Sequence, residues 1–358
     1  ACSTPLEADI LADDLPVERV VSCDISYGDE ETAGKIEKVV AMEEIALSFD
    51  PSIENTEGAA YAEATGEIFI SSTRGFRRRE RRGLCSCSLS AVARRGEEVR
   101  SGWSYSQAGN IDALDFIRTG KEAARRTVGL LGSRPLVSGR YPVIFDGTAF
   151  SEVVYLMEQA LSGEMLVKGT TVLAGKEGES VASSHLTLVD DPFLDGGCFN
   201  ASFDDEGVPR RRYVLIEEGV LKGYLHNSWS ARKTGGGLPG NAVRDSYKDL
   251  PVPGPSNLFV DPGRRSLDEM IADISSGIYI QNVMGMHTAD PISGDFSVGI
   301  SGLSIEKGDP AAPVSEMTIS GNITDLLRGV KEVGGEMVFI GTYGAPPVLI
   351  EGLSVSGT

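Results

Sequence analysis

Histidine is the scarcest chemically versatile residue in this sequence, with three copies among 358 residues. They are His185, His226 and His287, and no two of them share helical or strand spacing. A zinc site built on histidine would need ligands from three distant segments, and no HExxH-like pair is present. The sequence therefore disfavours a histidine-led metal site, and we expect each histidine to be a surface residue or a hydrogen-bonded core residue.

Cysteine is also sparse and shows no paired spacing. The five cysteines stand at positions 2, 23, 85, 87 and 198, and none forms a CxxC pair. This pattern is typical of free thiols in an intracellular protein. Cys85 and Cys87 are two residues apart, which places both on one face of a strand. A metal or redox role for them is the less favoured interpretation.

Long apolar runs are missing as well. No stretch approaches the roughly 20 apolar residues that a membrane-spanning helix needs. The opening ACSTPLEADILADD lacks the basic segment and the continuous apolar core of a secretory signal. Both absences predict a cytoplasmic protein without membrane contact.

Positive charge is in deficit, with 33 Lys and Arg against 52 Asp and Glu and a formal net charge of −19. Such a surface repels phosphate backbones, which argues against nucleic acid as a general partner. The segment RGFRRRERR, residues 74–82, is a local exception. It could contact a phosphate or an acidic partner, although a solvated loop or hairpin end is the favoured interpretation.

Nucleotide-binding and serine-hydrolase motifs are absent when their context is considered. GTTVLAGKE has one residue too many between Gly169 and Gly175 for a phosphate-binding loop, and Glu177 stands where Ser or Thr is required. GGGLPG, residues 235–240, follows no strand, and Pro239 falls where a helix should begin. No GxSxG elbow is present. We interpret both glycine-rich stretches as loops.

The length suits two domains of an α+β protein. Residues 1–135 are predicted to form an N-terminal α/β sandwich-like domain with a largely antiparallel sheet and helices on one side. Residues 136–358, beyond the breaker-rich GSRPLVSGRYP, are predicted to form a β-rich domain with a few helices. Specific expectations are helices at 31–48, 147–163, 266–276 and 322–333, a hairpin in GAAYAEATGEIFISS, and a helix capped by Asn110 that ends at Gly132.

Two acidic or polar turns are candidate sites. In FDDEGVPRRR, Asp204, Asp205 and Glu206 precede a glycine and three arginines, so they could bind a hard cation or raise one another's pKa. A charged turn neutralised by arginine is the favoured interpretation. SGDFS, residues 293–297, is interpreted as a polar turn between strands.

The stretch SEVVYLMEQALSGE, residues 151–164, follows a strand and is predicted to be a helix. Its carboxylates Glu152 and Glu158 lie six residues apart, which is about 240° around a helix. They therefore do not form a facing acid–base pair.

From about Gly102 onwards, the order of motifs resembles the TldD/PmbA family, known as modulators of DNA gyrase and as a cytoplasmic peptidase system. The matching segments include GWSYSQAGNIDALD, YPVIFD, LSGEMLVKGTTVLAGKEGESVAS, LVDDPFLDGG, FDDEGVPRRRYVLIEEGVLKGYL, SWSARKTG, PSNLFVDPG, SGDFSVGISGLSIEKG and PVLIEGLSVSGT. Residues 1–101 match more loosely. Members carry further N-terminal sequence, so the resemblance implies a truncated form.

The resemblance also implies a role for the helix predicted in residues 151–164. In TldD-type members an HExxxH motif supplies two zinc ligands and a general base, and those places fall here on Val154, Tyr155 and Gln159. The segment EMVFIGTYGAPP lacks the cysteine ligand of that type. The resemblance therefore implies a PmbA/TldE-type subunit without a metal of its own. Zinc is expected in a TldD-like partner.

Such a heterodimer would hydrolyse unfolded or leader-bearing peptides. The residues expected to shape its peptide cavity or subunit interface lie in five segments, and they are Gly163, Asp204, Asp205, Glu206, Gly207, Ser230, Arg232, Asn241, Ser293, Gly294, Asp295 and Ser297. Two alternatives stay open. One is a self-sufficient homodimeric hydrolase that uses Asp204, Asp205 and Glu206, and the other is a regulatory binding protein of DNA gyrase.

Overall fold

The first third of the chain forms a three-stranded antiparallel sheet covered on one face by two helices. The computed structural model describes residues 17, 19–21, 31–72, 75–238 and 240–358, so Cys2 and Cys23 lie outside the described residues. The elements of this first unit are α1 (Thr32–Leu47), β1 (Ile53–Ser71), β2 (Arg77–Arg95), β3 (Glu98–Ala108) and α2 (Phe116–Val128), with strand order β1-β2-β3.

The core of this unit lies between the central strand and the helices. Alternate residues of β2 point inwards, so Cys85, Cys87 and Leu89 are buried, as strand periodicity requires. They pack with Met42 of α1 and Ala123 of α2. The two thiols are therefore structural core groups, and burial raises the pKa of Cys85 to about 11.

The predicted hairpin in GAAYAEATGEIFISS is wrong. Residues 58–71 form part of one long strand, and Gly66 simply pairs with Arg82 within an unbroken ladder to β2. Thr-Gly is not one of the dipeptides that favour a two-residue hairpin turn, so the alternating pattern continues through it. The chain reverses only after Ser71.

The helix predicted from Asn110 is also placed differently. Asn110 caps a single 3₁₀ turn, Ile111–Ala113, and Leu114 is extended. The α-helix begins only after Asp115, whose side chain accepts from the N–H of Arg118, and it ends at Val128. Ile117 lies in the first turn of this helix and is 56% exposed.

The rest of the chain is rich in strands, as predicted, and the α+β class is confirmed. Its helices are α3 (Gly147–Ala160), α4 (Gly163–Lys168), α5 (Ser228–Thr234), α6 (Leu267–Ala272) and α7 (Ile323–Arg328). Its strands are β4 (Gly139–Phe145), β5 (Leu188–Asp190), β6 (Tyr213–Glu217), β7 (Val220–Leu221), β8 (Ala242–Val243), β9 (Val252–Pro253), β10 (Leu258–Val260), β11 (Ser276–Met284), β12 (Asp295–Glu306), β13 (Asp309–Asn322), β14 (Val330–Val333), β15 (Val338–Ile340), β16 (Tyr343–Ala345) and β17 (Val348–Ser356).

Twelve of these strands form two six-stranded sheets around one core, and β8 pairs with β9. One sheet has the order β15-β16-β10-β5-β6-β7 and the other β13-β12-β11-β4-β17-β14. Helix α3 contacts strands of both sheets and contributes Phe150 and Val153 to the core. It is therefore held on two sides by apolar packing. Predicted helices 266–276 and 322–333 are shorter in the structure, and α5 was not predicted.

The two parts of the chain are joined by buried polar contacts. Arg126 of α2 donates from Nη2 to Asp146 Oδ1 at 3.1 Å, and both residues are buried. The side-chain amide of Gln107 in β3 bonds to both the N–H and the C=O of Gly341. No helix in the described ranges is long and apolar enough to cross a membrane.

Candidate functional site

Helix α3 begins at a fixed position. Asp146 follows the buried strand β4 and accepts from the N–H of Thr148 at 2.9 Å, which caps the helix. The same carboxylate accepts from Arg126 and, at 2.7 Å, from the hydroxyl of Tyr279. Burial together with the neighbouring Asp146 charge raises the pKa of Tyr279, so this hydroxyl stays a donor. The register of every later residue on α3 follows from this cap.

The positions that the resemblance assigns to the zinc motif lie along α3. Val154 is buried in the core at 1% exposure. The ring of Tyr155 packs edge to face on Tyr343, with centroids 5.3 Å apart, and the hydroxyl of Tyr343 donates to Glu158 Oε2. Gln159 is half-buried. Burial raises the pKa of Glu158, while the Tyr343 hydrogen bond opposes the shift.

A zinc ion needs nitrogen, sulfur or carboxylate donors from the chain. Val154 has no donor atom, Tyr155 is engaged in the ring pair, and Gln159 offers only a neutral amide. These three side chains therefore do not fit a zinc ion. Within the described ranges, no three His, Cys, Asp or Glu side chains are grouped closely enough to hold a metal.

The acidic turn FDDEG is held by backbone donors. Asp204 is 1% exposed and accepts from the N–H groups of Glu206, Val208 and Ala242 at 2.9 to 3.0 Å. Gly207 has φ 83°, which closes the turn onto Asp204 and favours glycine. Burial raises the pKa of Asp204 to about 6, against the opposing charge of Arg210.

The neighbouring carboxylates are engaged as well. Asp205 accepts from Arg82 Nη1 at 3.3 Å and from the N–H of Arg244 at 2.8 Å. Glu206 Oε2 accepts from the N–H of Ser228 at 2.7 Å, and Arg232 donates weakly to the Ser228 carbonyl at 3.4 Å. The turn is thus a structural hub that orients α5.

A second buried carboxylate, which sequence reasoning missed, adjoins this hub. Asp190 accepts from Ser256 N–H and Oγ at 2.7 Å each and from Asn241 Nδ2 at 2.7 Å. Burial raises the pKa of Asp190 and lowers that of Arg210, and their opposite charges counteract both shifts. The only sequence signal was an Asp at the end of the strand-like LTLVD.

His226 lies where α4 meets α5. It is 6% exposed, its Nδ1 is 3.0 Å from Ser230 Oγ, and burial lowers its pKa, so it is a hydrogen-bonded core histidine as expected. The backbone of Gly163 passes directly over its ring. His185 and His287 are exposed.

Gly163→Ala is expected to lower the free energy of unfolding by about 1–3 kcal/mol. A Cβ at this position would come within 2.2 Å of His226 Nδ1 and 2.7 Å of the Leu225 carbonyl oxygen. Gly66→Ala is the matched control, because nothing lies within 4 Å of its added Cβ. Urea denaturation of both variants checks the prediction, and equal stabilities would contradict it.

The SGDFS turn lies apart from the acidic hub. Asn322 Nδ2 donates to the Ser293 carbonyl and to Asp295 Oδ1 at 2.8 and 2.9 Å. Gly294 has φ 80° and bonds to Asp290. Ser297 continues into β12 opposite Ser320. Among the described residues, this turn makes no hydrogen bond to FDDEG.

The arginine-rich segment is part of a strand and reaches the acidic hub. We call residues 65–71 of β1 and 77–83 of β2 the arm. On its inner face, Glu80 accepts from Ser202 N–H and Oγ at 2.7 and 2.6 Å, and Arg82 donates to the Phe203 carbonyl at 2.8 Å. The ring of Phe76, just before β2, lies against Gly207. The segment lies at the end of the β1–β2 hairpin, which is one of the two predicted forms, and from Arg77 onwards it is a strand with one docked face and not a solvated loop.

A cleft of about 750 Å³ lies between β3 and α2 on one side and the start of α3 and β15 on the other. Its walls combine aromatic and charged side chains, among them Trp103, Tyr105, Arg118, Glu122 and Phe339. Strand β15 lines it at the edge of its sheet. The cleft is large enough for a short stretch of an extended peptide.

A family model described as the PmbA/TldA metallopeptidase C-terminal domain matches residues 138–357, and the central-domain model of the same family matches residues 26–131. A metalloprotease of Methanothermobacter thermautotrophicus is 32% identical over 75% of this chain and 63% of its own length. The metalloprotease PmbA of Escherichia coli O157:H7 is 27% identical over 99% of this chain and 76% of its own length.

Two solved structures share the fold. A Thermotoga maritima protein described as a modulator of a DNA gyrase superimposes with a TM-score of 0.91 and 30% identity, covering 98% of this chain and 81% of that one. TldE from Thermococcus kodakarensis gives a TM-score of 0.90 and 28% identity, covering 97% and 79%. The chain spans less than two thirds of the Methanothermobacter relative. Because the C-terminal family model alone covers more than half of the sequence, this chain belongs to the TldD/PmbA metallopeptidase family.

Proposed function

We propose that this chain is a PmbA/TldE-type subunit of a cytoplasmic TldD/TldE-type metallopeptidase that processes or degrades unfolded or leader-bearing peptides. The zinc ion and the general base belong to a TldD-like partner in this proposal. The observation that carries this proposal is that the side chains at the zinc-motif positions on α3 cannot bind a metal and are engaged in packing. Val154 is core, and Tyr155 packs on Tyr343, whose hydroxyl is bonded to Glu158.

The role of the chain is then to hold and orient the peptide. Strand β15 pairs with β16 on one side and borders the cleft on the other, so an extended peptide could align its backbone there without a sequence requirement. The cap of α3 by Asp146 keeps the tyrosine pair in place relative to this edge. The names PmbA and TldE among the relatives support this subunit type.

The acidic turn supports a structural role more than a catalytic one. Each carboxylate of Asp204, Asp205 and Glu206 already accepts backbone N–H bonds. A hydrolytic base needs a free lone pair within reach of water and substrate. A gyrase-binding role gains no support from a net charge of −19, which repels DNA.

The test uses the purified chain with and without a TldD-like protein that retains HExxxH. The chain alone is expected to contain no stoichiometric zinc and to leave an unstructured peptide intact, whereas the mixture hydrolyses it. The control is a partner in which the motif's Glu is replaced by Gln, which should remove turnover. Zinc-dependent cleavage of the peptide by this chain alone would contradict the proposal.

A second measurement distinguishes this proposal from the alternative of a homodimeric hydrolase. If the chain alone turns over peptide and Asp205→Asn or Glu206→Gln abolishes that activity while the variants stay folded, the acidic turn is catalytic. We expect neither substitution to affect turnover by the mixture more than the stability loss explains.

A further inference from the structure

The outer face of the arm is largely exposed in the part of the chain that the structure describes. Side chains of β2 alternate, so Glu80 and Arg82 point inwards while Arg77, Arg79 and Arg81 lie on the opposite, solvent-facing side. The pairing with β1 sets Phe69 beside Arg79 and Glu67 beside Arg81 on this same outer face. One strand segment therefore carries an internal docking face and a separate, unburied cationic face.

This outer face is both aromatic and basic. Phe69 is 63% exposed, and the side chains of Arg79 and Arg81 are 67% and 74% exposed. A single carboxylate, Glu67, serves both arginines, with N···O distances of 2.8 and 3.7 Å. Among the described residues, three arginines thus share this outer face with one carboxylate. Because exposed ion pairs contribute little to stability, the fold itself gains almost nothing from this arrangement.

The composition is that of a protein interaction surface. Arginine and aromatic residues are enriched in interfaces and supply most of their binding hot spots. Guanidinium groups pair in a planar, bidentate way with carboxylates. The ring of Phe69 adds apolar area between the charges. The remainder of the chain carries a strong negative excess, so this face is set apart electrostatically.

We infer that the outer face of the arm, formed by Phe69, Arg77, Arg79 and Arg81, binds an Asp- and Glu-rich segment of a partner protein. A short acidic segment can contact the arm while staying clear of the acidic remainder of the surface. A long polyanion such as DNA would be repelled along the rest of its length by the net charge of −19. The inference is independent of the peptidase role.

The test measures binding of a short, labelled peptide rich in Glu and Asp, with one leucine, by fluorescence anisotropy at low ionic strength. The double variant Arg79→Glu/Arg81→Glu is expected to bind at least about tenfold more weakly than the native chain. Phe69→Ser should weaken binding without a change in charge. The matched control is Arg94→Glu/Arg328→Glu, which makes the same charge change at exposed positions outside the arm and the cleft and should retain most of the binding.

Three outcomes would overturn the inference. One is equal loss of binding in the control, which would indicate a general charge effect. Another is tighter binding, through the same arginines, of a single-stranded oligonucleotide with as many charges as the peptide. The last is self-association of the native chain that the arm variant abolishes in sedimentation experiments, which would assign the face to a second copy. Thermal unfolding of each variant confirms that it is folded.

Discussion

Arg126→Met is expected to lower the free energy of unfolding by about 3–5 kcal/mol. Arg126 and Asp146 are 7% and 8% exposed, and their ion pair joins α2 to the cap of α3. Removing the guanidinium leaves the Asp146 carboxylate buried, and its donors among the described residues are then the Tyr279 hydroxyl and the cap N–H. Burying a charge without its counter-ion is among the most costly single changes in a protein. Urea denaturation followed by circular dichroism measures the loss.

Arg125→Met is the matched control for this variant. Arg125 is the adjacent residue, its side chain is 49% exposed, and its ion pair is with Glu122 at 2.7 Å. We expect a loss below about 1 kcal/mol, because exposed ion pairs contribute little. The double variant Arg126→Met/Asp146→Asn should recover part of the stability, since Asn keeps the cap acceptor without the charge. If Arg126→Met lowers the free energy of unfolding no more than the control does, the Arg126–Asp146 ion pair does not stabilise the fold as expected.

Asp204 is expected to make the protein less stable as pH rises from 4 to 7. Burial raises its pKa from 3.8 to about 6, so the folded state binds a proton more tightly than the unfolded state. Stability from this group is complete below the unfolded pKa and is lost as pH rises through the folded value. The free energy of unfolding of Asp204→Asn, relative to that of the native chain, should therefore rise by up to about 3 kcal/mol across this pH range. Urea denaturation at several pH values gives the difference curve.

Asp290→Asn provides a control of opposite sign. Hydrogen bonds from Ser293 and from the backbone N–H of Ile292 lower the pKa of Asp290, with the Ile292 bond the largest cause. Its stability contribution is present above the unfolded pKa and is lost as pH falls, so Asp290→Asn should lose relative stability as pH rises. Difference curves with the same sign for both variants would contradict the assignment of a raised pKa to Asp204.

Much of the fold class was available from local patterns. The two-residue step between Cys85 and Cys87 placed both on one face of a strand, and in the structure both are buried on the same face of β2. A helix was predicted at residues 147–163, and α3 covers residues 147–160 of that range. The predicted boundaries were less accurate. Pairing with β2 keeps the Thr-Gly step extended where a turn was predicted, and α2 begins after the cap at Asp115 and not at Asn110. In both cases a neighbouring element selected one of two locally acceptable conformations.

The sequence predicted the part of the candidate site that depends on which residue types occupy the motif positions. Residues Val154, Tyr155 and Gln159 could be singled out by their place in an ordered set of motifs. The partners that give them their environment could not, because Tyr343 lies 188 residues beyond Tyr155 and only folding brings their rings together. Asp190 was hidden for the same reason, since a buried charge looks like any other charge in a sequence.

The sequence by itself determined the family, the strand-rich second half and the chemical nature of the motif positions on α3, since these depend on residue type and short-range order. Tertiary structure alone decided how RGFRRRERR is divided into a docking face and a solvent-facing one. It also decided that the acidic turn is held by backbone donors and that Arg126 pins α2 to α3. Those outcomes depend on burial and on contacts between distant segments, and neither is encoded in local spacing.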